Sequence, residues 1–328
     1  MPRFDAGRVA QIVSERSGLQ RLLLDDGTRA YALTEVVGSA SQGDLVIVNT
    51  TAVDLDLGTG GWHVVHWIDG NEANSKEHKG RVLKARYLSE QTEVDPHVSE
   101  RSDLVGARVL LCVLHSHIGA VAVAMSSSKV GYLMTDQAAL PLALSDLVAE
   151  LTSADLVATT ATVGQAFGGE IEAVNVASGV GALMDSGSSR ILLGAGPGHV
   201  GTASKLGFSA MELAGHASVL HALGAEVALC VRASQVDERQ RHRGISDHMR
   251  SLLKAIPVEI NVPVPHGEDS SWVTELGHYA HLAEPVDVAR ALNKSGVEIT
   301  SMGEPLYQDE LACSYLGAAA SWLLGMER

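Results

Sequence analysis

The chain reads as an α/β protein in which a small N-terminal β-barrel of the OB or SH3 sort precedes a Rossmann-like domain with a mostly parallel sheet. Three observations predict this. Up to about residue 98, short β-prone runs alternate with turn residues. From residue 105 onward, continuous apolar runs alternate with helix-like segments, as expected of strands covered on both faces. Within that second half, Ile191-Leu192-Leu193 opens into Gly194-Ala195-Gly196-Pro197-Gly198-His199-Val200-Gly201, and residues 208–223 read as a helix.

The barrel, assigned to residues 1–100, is built from β runs at 9–15, 19–24, 29–37, 45–53, 62–68 and 80–88, with Asp25-Asp26-Gly27 as a hairpin turn. The polar segment 69–79 is expected to be a mobile loop, and 89–101 the linker. Basic and aromatic density is low on every strand, which favours a scaffold or interface role for the barrel over oligonucleotide binding. The Rossmann-like domain, 105–328, has apolar runs at 108–114, 130–134, 157–163, 190–194, 226–232, 258–262 and 297–302. Helix-like segments lie at 142–151, 170–184, 208–223, 247–255, 285–294 and 309–324.

In open parallel sheets, ligands bind outside the carboxyl ends of the strands. That rule selects His115-Ser116-His117, Thr135-Asp136-Gln137, the 164–170 loop, the glycine loop, Arg232 with the 241–248 segment, and Met302-Gly303-Glu304. His115, Asp136, Gly168, Gly196 and Arg241 are therefore expected on one edge of one sheet.

The stretches 49–67, 134–148, 164–176, 196–224 and 241–248 resemble an uncharacterised bacterial family, a domain of unknown function found in actinobacteria and firmicutes. The resemblance spans nearly the whole chain and carries no activity. It implies only that these loops belong together. The family pattern has Gly where this chain has Ala203, Thr at Ser204 and His at Asp247, and the last change weakens any metal pair at Asp247 and His248.

Gly196, Gly198 and Gly201 satisfy G-x-G-x-x-G between a strand and a helix, where free N–H groups and the helix dipole face an anion. An acidic residue closing the next strand is missing, since Glu226 opens that strand. A Walker lysine is also missing, since Thr202 follows Gly201. A phosphate or carboxylate cradle completed by Thr202 and Ser204, a dinucleotide site and a purely structural turn all stay open. Gly168 and Gly169 permit a second close approach. Glu170, at the expected start of a helix, is either an acid–base group or a residue favoured by the dipole.

Arg239, Arg241 and Arg243 form a basic cluster in a chain of net charge −15. Arg241 and Arg243 are expected to clamp an anion with bidentate hydrogen bonds, with pairing to surface carboxylates as the alternative. Asp247 is expected to cap the following helix. In an extended segment, His115 and His117 would share one side and meet Asp136, as metal ligands, as acid–base groups or as ordinary structural histidines.

The acidic balance argues against nucleic acid and anionic membranes as partners. Hydrophobic residues make up 46% but aromatics only 4%, so few rings are available to stack on bases. Cys112, Cys230 and Cys313 lie far apart and read as buried hydrophobes in a reducing compartment. No apolar run reaches a membrane span and residues 1–7 lack a signal core, so a cytoplasmic setting is expected. No metal site is assigned and no cofactor is identifiable. The expected function is an enzyme acting on a small phosphorylated or carboxylated metabolite, with protons handled by His115, Asp136, Glu170 or His242. The alternative is a non-catalytic ligand sensor or assembly module. Because the last helix is apolar on more than one face, the chain is also expected to form a homo-oligomer.

Overall fold

The structure is a computed structural model that describes residues 1–57, 60–70, 80–126, 128–301 and 303–325. Most of the loop predicted at 69–79, and Met302, lie outside the described residues. The chain divides into two compact units, Met1–Asp95 and Pro96–Arg328.

The first unit is a closed barrel of β1 (Phe4–Arg16), β2 (Leu19–Leu24), β3 (Arg29–Leu33), β4 (Leu45–Asn49) and β5 (His63–Ile68), in the order β1-β2-β3-β5-β4. The long β1 pairs with β4 through its first residues and with β2 through its last, and its pairing with β2 carries two register irregularities that bend the strand. Only β3 and β5 run parallel, and the five strands close the small barrel that the sequence predicts. Val9, Leu22, Leu24, Ala30, Ala32, Val46, Val48, Val65 and Ile68 fill it. The predicted 25–27 turn forms with Gly27 at φ 85°, and Asp26 Oδ1 accepts the Thr28 N–H at 2.8 Å.

Three strand expectations need correction. The ends of the third and fourth runs are single helical turns, α1 (Thr34–Val37) and α2 (Thr51–Asp54). The sixth run stays out of the barrel, because β6 (Val82–Lys84) pairs instead with β7 (Thr92–Val94) in a separate hairpin.

In the second unit, β8 (Arg108–Cys112), β9 (Val130–Thr135), β10 (Val157–Thr162), β11 (Ile171–Glu172), β12 (Arg190–Ala195) and β13 (Glu226–Cys230) belong to one sheet. A ribbon of β14 (Ala233–Ser234) and β15 (Gly244–Ile245) follows, and then β16 (Asn261–Pro265) and β17 (Tyr279–Ala283) complete the sheet. Its order is β11-β10-β9-β12-β8-β13-β16-β17, and every pairing is parallel.

Alternation along β8 shows how the faces are filled. Val109 and Leu111 join one core, and Leu110 and Cys112 join the other. The first face is covered by α5 (Val176–Asp185), α6 (Leu213–Ala222), α7 (Asp247–Ala255) and α8 (Ser271–Glu275). The second is covered by α3 (His115–Ala124), α4 (Asp146–Ser153), α9 (Val288–Ser295) and most of α10 (Glu310–Leu324).

The sheet corrects further expectations. Residues 115–117 are the first turn of α3 and not an extended segment, so the geometry that would bring His115 and His117 together onto Asp136 does not arise. The helix predicted from Glu170 begins at Val176, where Asn175 and Ser178 form a reciprocal cap. The run at 297–302 never enters the sheet: β18 (Thr300–Ser301) pairs with β19 (Glu304–Pro305) in a ribbon. Strand β17 was not foreseen. The apolar helix α10 is covered within its own chain along residues 315–323, which removes the reason offered for self-association. All three cysteines are free and buried. Among the described residues, no helix is long and apolar enough to cross a membrane.

Candidate functional site

Because the sheet is parallel, the loops that carry His115, Asp136, Gly168, Gly196 and Arg241 all leave it on the carboxyl side. They do not all meet. A cleft of about 550 Å³ lies where the central strands β12, β8 and β13 end, lined by residues of 113–116, 197–201, 208–210, 232–249 and 298–301. This is where the chain order reverses. The connection from β8 to β9 passes β12 on one face, and that from β12 to β13 passes β8 on the other. At such a crossing the two loops part and leave a crevice.

Arginines supply the charge. Arg232, Arg239 and Arg241 line the cleft. Arg239 grips Asp237 with two hydrogen bonds, Nε to Oδ1 at 2.9 Å and a terminal nitrogen to Oδ2 at 2.8 Å, and Arg232 reaches the same Oδ2 at 3.3 Å. One carboxylate therefore serves two guanidiniums. The hydrogen bonds from Arg239 hold the Asp237 carboxyl down at about 2. The Nε of Arg241 is buried without a hydrogen-bond partner among the described residues.

Four histidines surround these cations. His115 opens α3, and its Nδ1–H donates to the carbonyl of Ala195 at 3.1 Å, which leaves Nε2 to accept from the Ser145 hydroxyl at 2.7 Å. Burial pulls it down to about 4. His199 is also pulled down to about 4, chiefly by burial, and its Nε2 is buried without a partner among the described residues. His242 bonds through Nδ1 to the Ser246 hydroxyl at 2.7 Å and falls to about 4, from burial first and then from Arg232 and Arg239. His248 stacks on Phe208 with ring centroids 4.2 Å apart and donates Nε2–H to the Ser204 carbonyl at 3.1 Å. At neutral pH these rings are uncharged, so the cleft's positive charge comes from arginine alone. Among the described residues, no group of three His, Cys, Asp or Glu side chains is arranged to hold a metal ion.

Of the predicted site residues, His115, Gly198, Gly201, Arg241 and His242 line the cleft, and the others do not. Asp136 instead accepts the backbone N–H of Gln165 at 2.9 Å. Glu170 is exposed in a loop before β11 and is not at a helix start. The N–H groups of Gly168, Gly169 and Glu170 donate to Glu172, Thr162 and Thr160 side chains, so these three groups are not free for a ligand. A Cβ at Gly196 would stand 2.8 Å from the Ala139 carbonyl oxygen, so that glycine answers to the neighbouring chain. Arg243 is exposed and does not line the cleft. Asp247 does not cap α7; Ser246 occupies that position.

The glycine loop itself departs from the dinucleotide pattern. It does not run into a helix: Gly201 pairs with Phe208, a short 3-10 turn (Ser209–Glu212) follows, and only then does α6 begin. Thr202 Oγ1 donates to the Gly207 carbonyl at 2.9 Å and accepts from Ser204 N–H at 3.1 Å, so both residues are spent on closing their own loop. Gly198 has φ 99° with nothing near a built Cβ, so it is present for the turn.

The sequence profile of a family described as a protein of unknown function, DUF3866, matches residues 29–320. The chain belongs to the DUF3866 family. A search of curated proteins finds no match. The matched range takes in every residue lining the cleft of this DUF3866 protein, from Val113 to Ser301.

Sequence reasoning selected Arg232 at its strand end without giving it a role, passed over His199 and Glu298, and preferred Arg243 to Arg239. Signs were present for two of them. Arg232 is the polar residue that ends an apolar strand, and His199 stands inside the glycine loop of the DUF3866 chain. Glu298 reaches the cleft through the path of a segment that only looks like a strand.

Proposed function

We propose that the second unit binds a small phosphorylated or carboxylated metabolite in this cleft, and that the protein is an enzyme acting on it. The observation that carries the reading is the buried, unpartnered Nε of Arg241 beside two guanidiniums that share one carboxylate. A buried donor without an acceptor is costly, and a phosphate or carboxylate oxygen would satisfy it with a charge-assisted bond. His242 is the proton-transfer candidate best supported. It lines the cleft, its Nδ1 is fixed by Ser246, and its Nε2 makes no hydrogen bond among the described residues. A bound anion would raise its basicity by offsetting the arginines. The second reading is a ligand sensor, favoured by His115, whose two nitrogens are both engaged.

The test is calorimetric titration of the full chain with inorganic phosphate and with small carboxylates, for the native protein and for Arg241→Gln. Millimolar or tighter binding that weakens at least tenfold in the variant is expected. Unchanged affinity in Arg241→Gln, or no binding of any small anion, refutes the reading. His242→Gln separates enzyme from sensor, since it should leave anion affinity nearly intact and remove turnover.

A further inference from the structure

The cleft is two-sided in chemistry, and this identifies the class of ligand more narrowly. Arg232, Arg239 and Arg241 belong to a segment that packs on one face of the sheet through Ala233, Ile245 and Met249. Glu298, Thr300 and Ser301 belong to a segment anchored on the other face through Ile299. Ser116, at the start of α3, joins this second wall. Among the described residues, the side chains of Ser116, Glu298, Thr300 and Ser301 make no hydrogen bond or ion pair. The buried, unpartnered His199 Nε2 also lines the cleft.

Resting on the anion reading above, we infer that the cleft takes a phosphorylated sugar or polyol, with the phosphate on the arginines and the hydroxyls on Glu298, Thr300, Ser301 and His199. An ionised carboxylate only accepts hydrogen bonds, so what meets Glu298 must be a donor. Hydroxyls fit better than an ammonium group. Serine and threonine both donate and accept, which suits the two-way bonding of a diol, whereas an ammonium has three donors and no acceptor. An unesterified phosphate would leave this wall unused, and a second anionic group there would meet Glu298 with like charge. The volume of about 550 Å³ suits a ligand of this size.

Calorimetry of the full chain with inorganic phosphate, propyl phosphate, ribose 5-phosphate and phosphoserine tests this. Ribose 5-phosphate is expected to bind at least tenfold more tightly than propyl phosphate, and Glu298→Ala is expected to erase that advantage without weakening the binding of inorganic phosphate. Glu298 is exposed, so its truncation leaves the fold intact. The double variant Thr300→Val with Ser301→Ala should act in the same direction. Equal affinity for ribose 5-phosphate and propyl phosphate, tightest binding of phosphoserine, or a preference that survives Glu298→Ala overturns the hydroxyl wall and leaves the anion site standing. If none of the four compounds binds, the anion reading fails and this one with it.

Discussion

Asp237 and Arg239 are joined by two parallel hydrogen bonds at 2.9 and 2.8 Å, and the aspartate side chain is only 7% exposed. With its carboxyl held at about 2, the aspartate is bound more firmly as an anion in the folded state than in the unfolded one, where about 3.9 is normal. A depressed carboxyl contributes stability that is complete above the unfolded value and is lost as pH falls from about 4 toward 2. Asp237→Asn should therefore lower stability at neutral pH by roughly 2 kcal/mol and flatten the acid limb below pH 4. Urea titrations at several pH values read both. A variant with the native acid limb would mean that the pair is not formed in solution.

The histidines act in a different window. His115, His199 and His242 each sit at about 4, mainly through burial, against an ordinary value of about 6.5. The unfolded chain then binds more protons than the folded one between those values. Stability should be complete above about pH 6.5 and fall as pH drops toward 4, at up to roughly 1.4 kcal/mol per pH unit for each ring. A single His→Gln change should make the slope shallower between pH 6.5 and 4 and leave the Asp237 window alone. Stability that stays flat down to pH 4.5 would count against neutral, buried rings.

Much of the fold is legible in the sequence because its strands advertise themselves. The strands ending at Cys112, Thr135 and Ala195 are apolar on both faces, and such runs alternating with helical segments fit a parallel sheet under two layers of helices. Helix α3 escaped for the same reason. His117 through Ala124 are buried all round, so no polar stripe betrays the 3.6-residue period. The site was half legible. Its edge followed from topology, but the choice of residues turned on loop paths, which carry no period. Thr202 and Ser204 look like ligand donors in sequence and turn inward to close their own loop, while Arg239 looks like surface charge and is aimed into the cleft by Asp237.

Ser145 does two jobs, and removing its hydroxyl separates structure from binding. Its oxygen accepts the Val148 N–H at 3.0 Å as the cap of α4 and donates to His115. Ser145→Ala should cost about 1–2 kcal/mol, on the scale of a lost cap with a buried ring nitrogen left unpaired. Anion affinity should change less than twofold, because Ser145 lies outside the cleft lining. A larger loss of affinity would place His115 among the groups that touch the ligand.

The last prediction concerns the glycine loop. Gly198 has φ 99° and open space where a Cβ would stand, so a side chain there meets no clash but is forced into a backbone region that L-residues avoid. Gly198→Val should lower stability by about 1–3 kcal/mol, since a β-branched residue suffers most at positive φ. Thr202→Ala removes the bond to the Gly207 carbonyl and the acceptor for Ser204 N–H, both in an exposed loop, and should cost less than about 1 kcal/mol. Thermal melts of the two variants test the order of these effects, and phosphate titration of each tests their meaning. If the loop is structural, Thr202→Ala binds phosphate as the native chain does, because arginines hold the anion. If phosphate affinity falls tenfold in Thr202→Ala while the melt is unchanged, the loop binds the ligand directly, and the arginine wall is not the whole of the site.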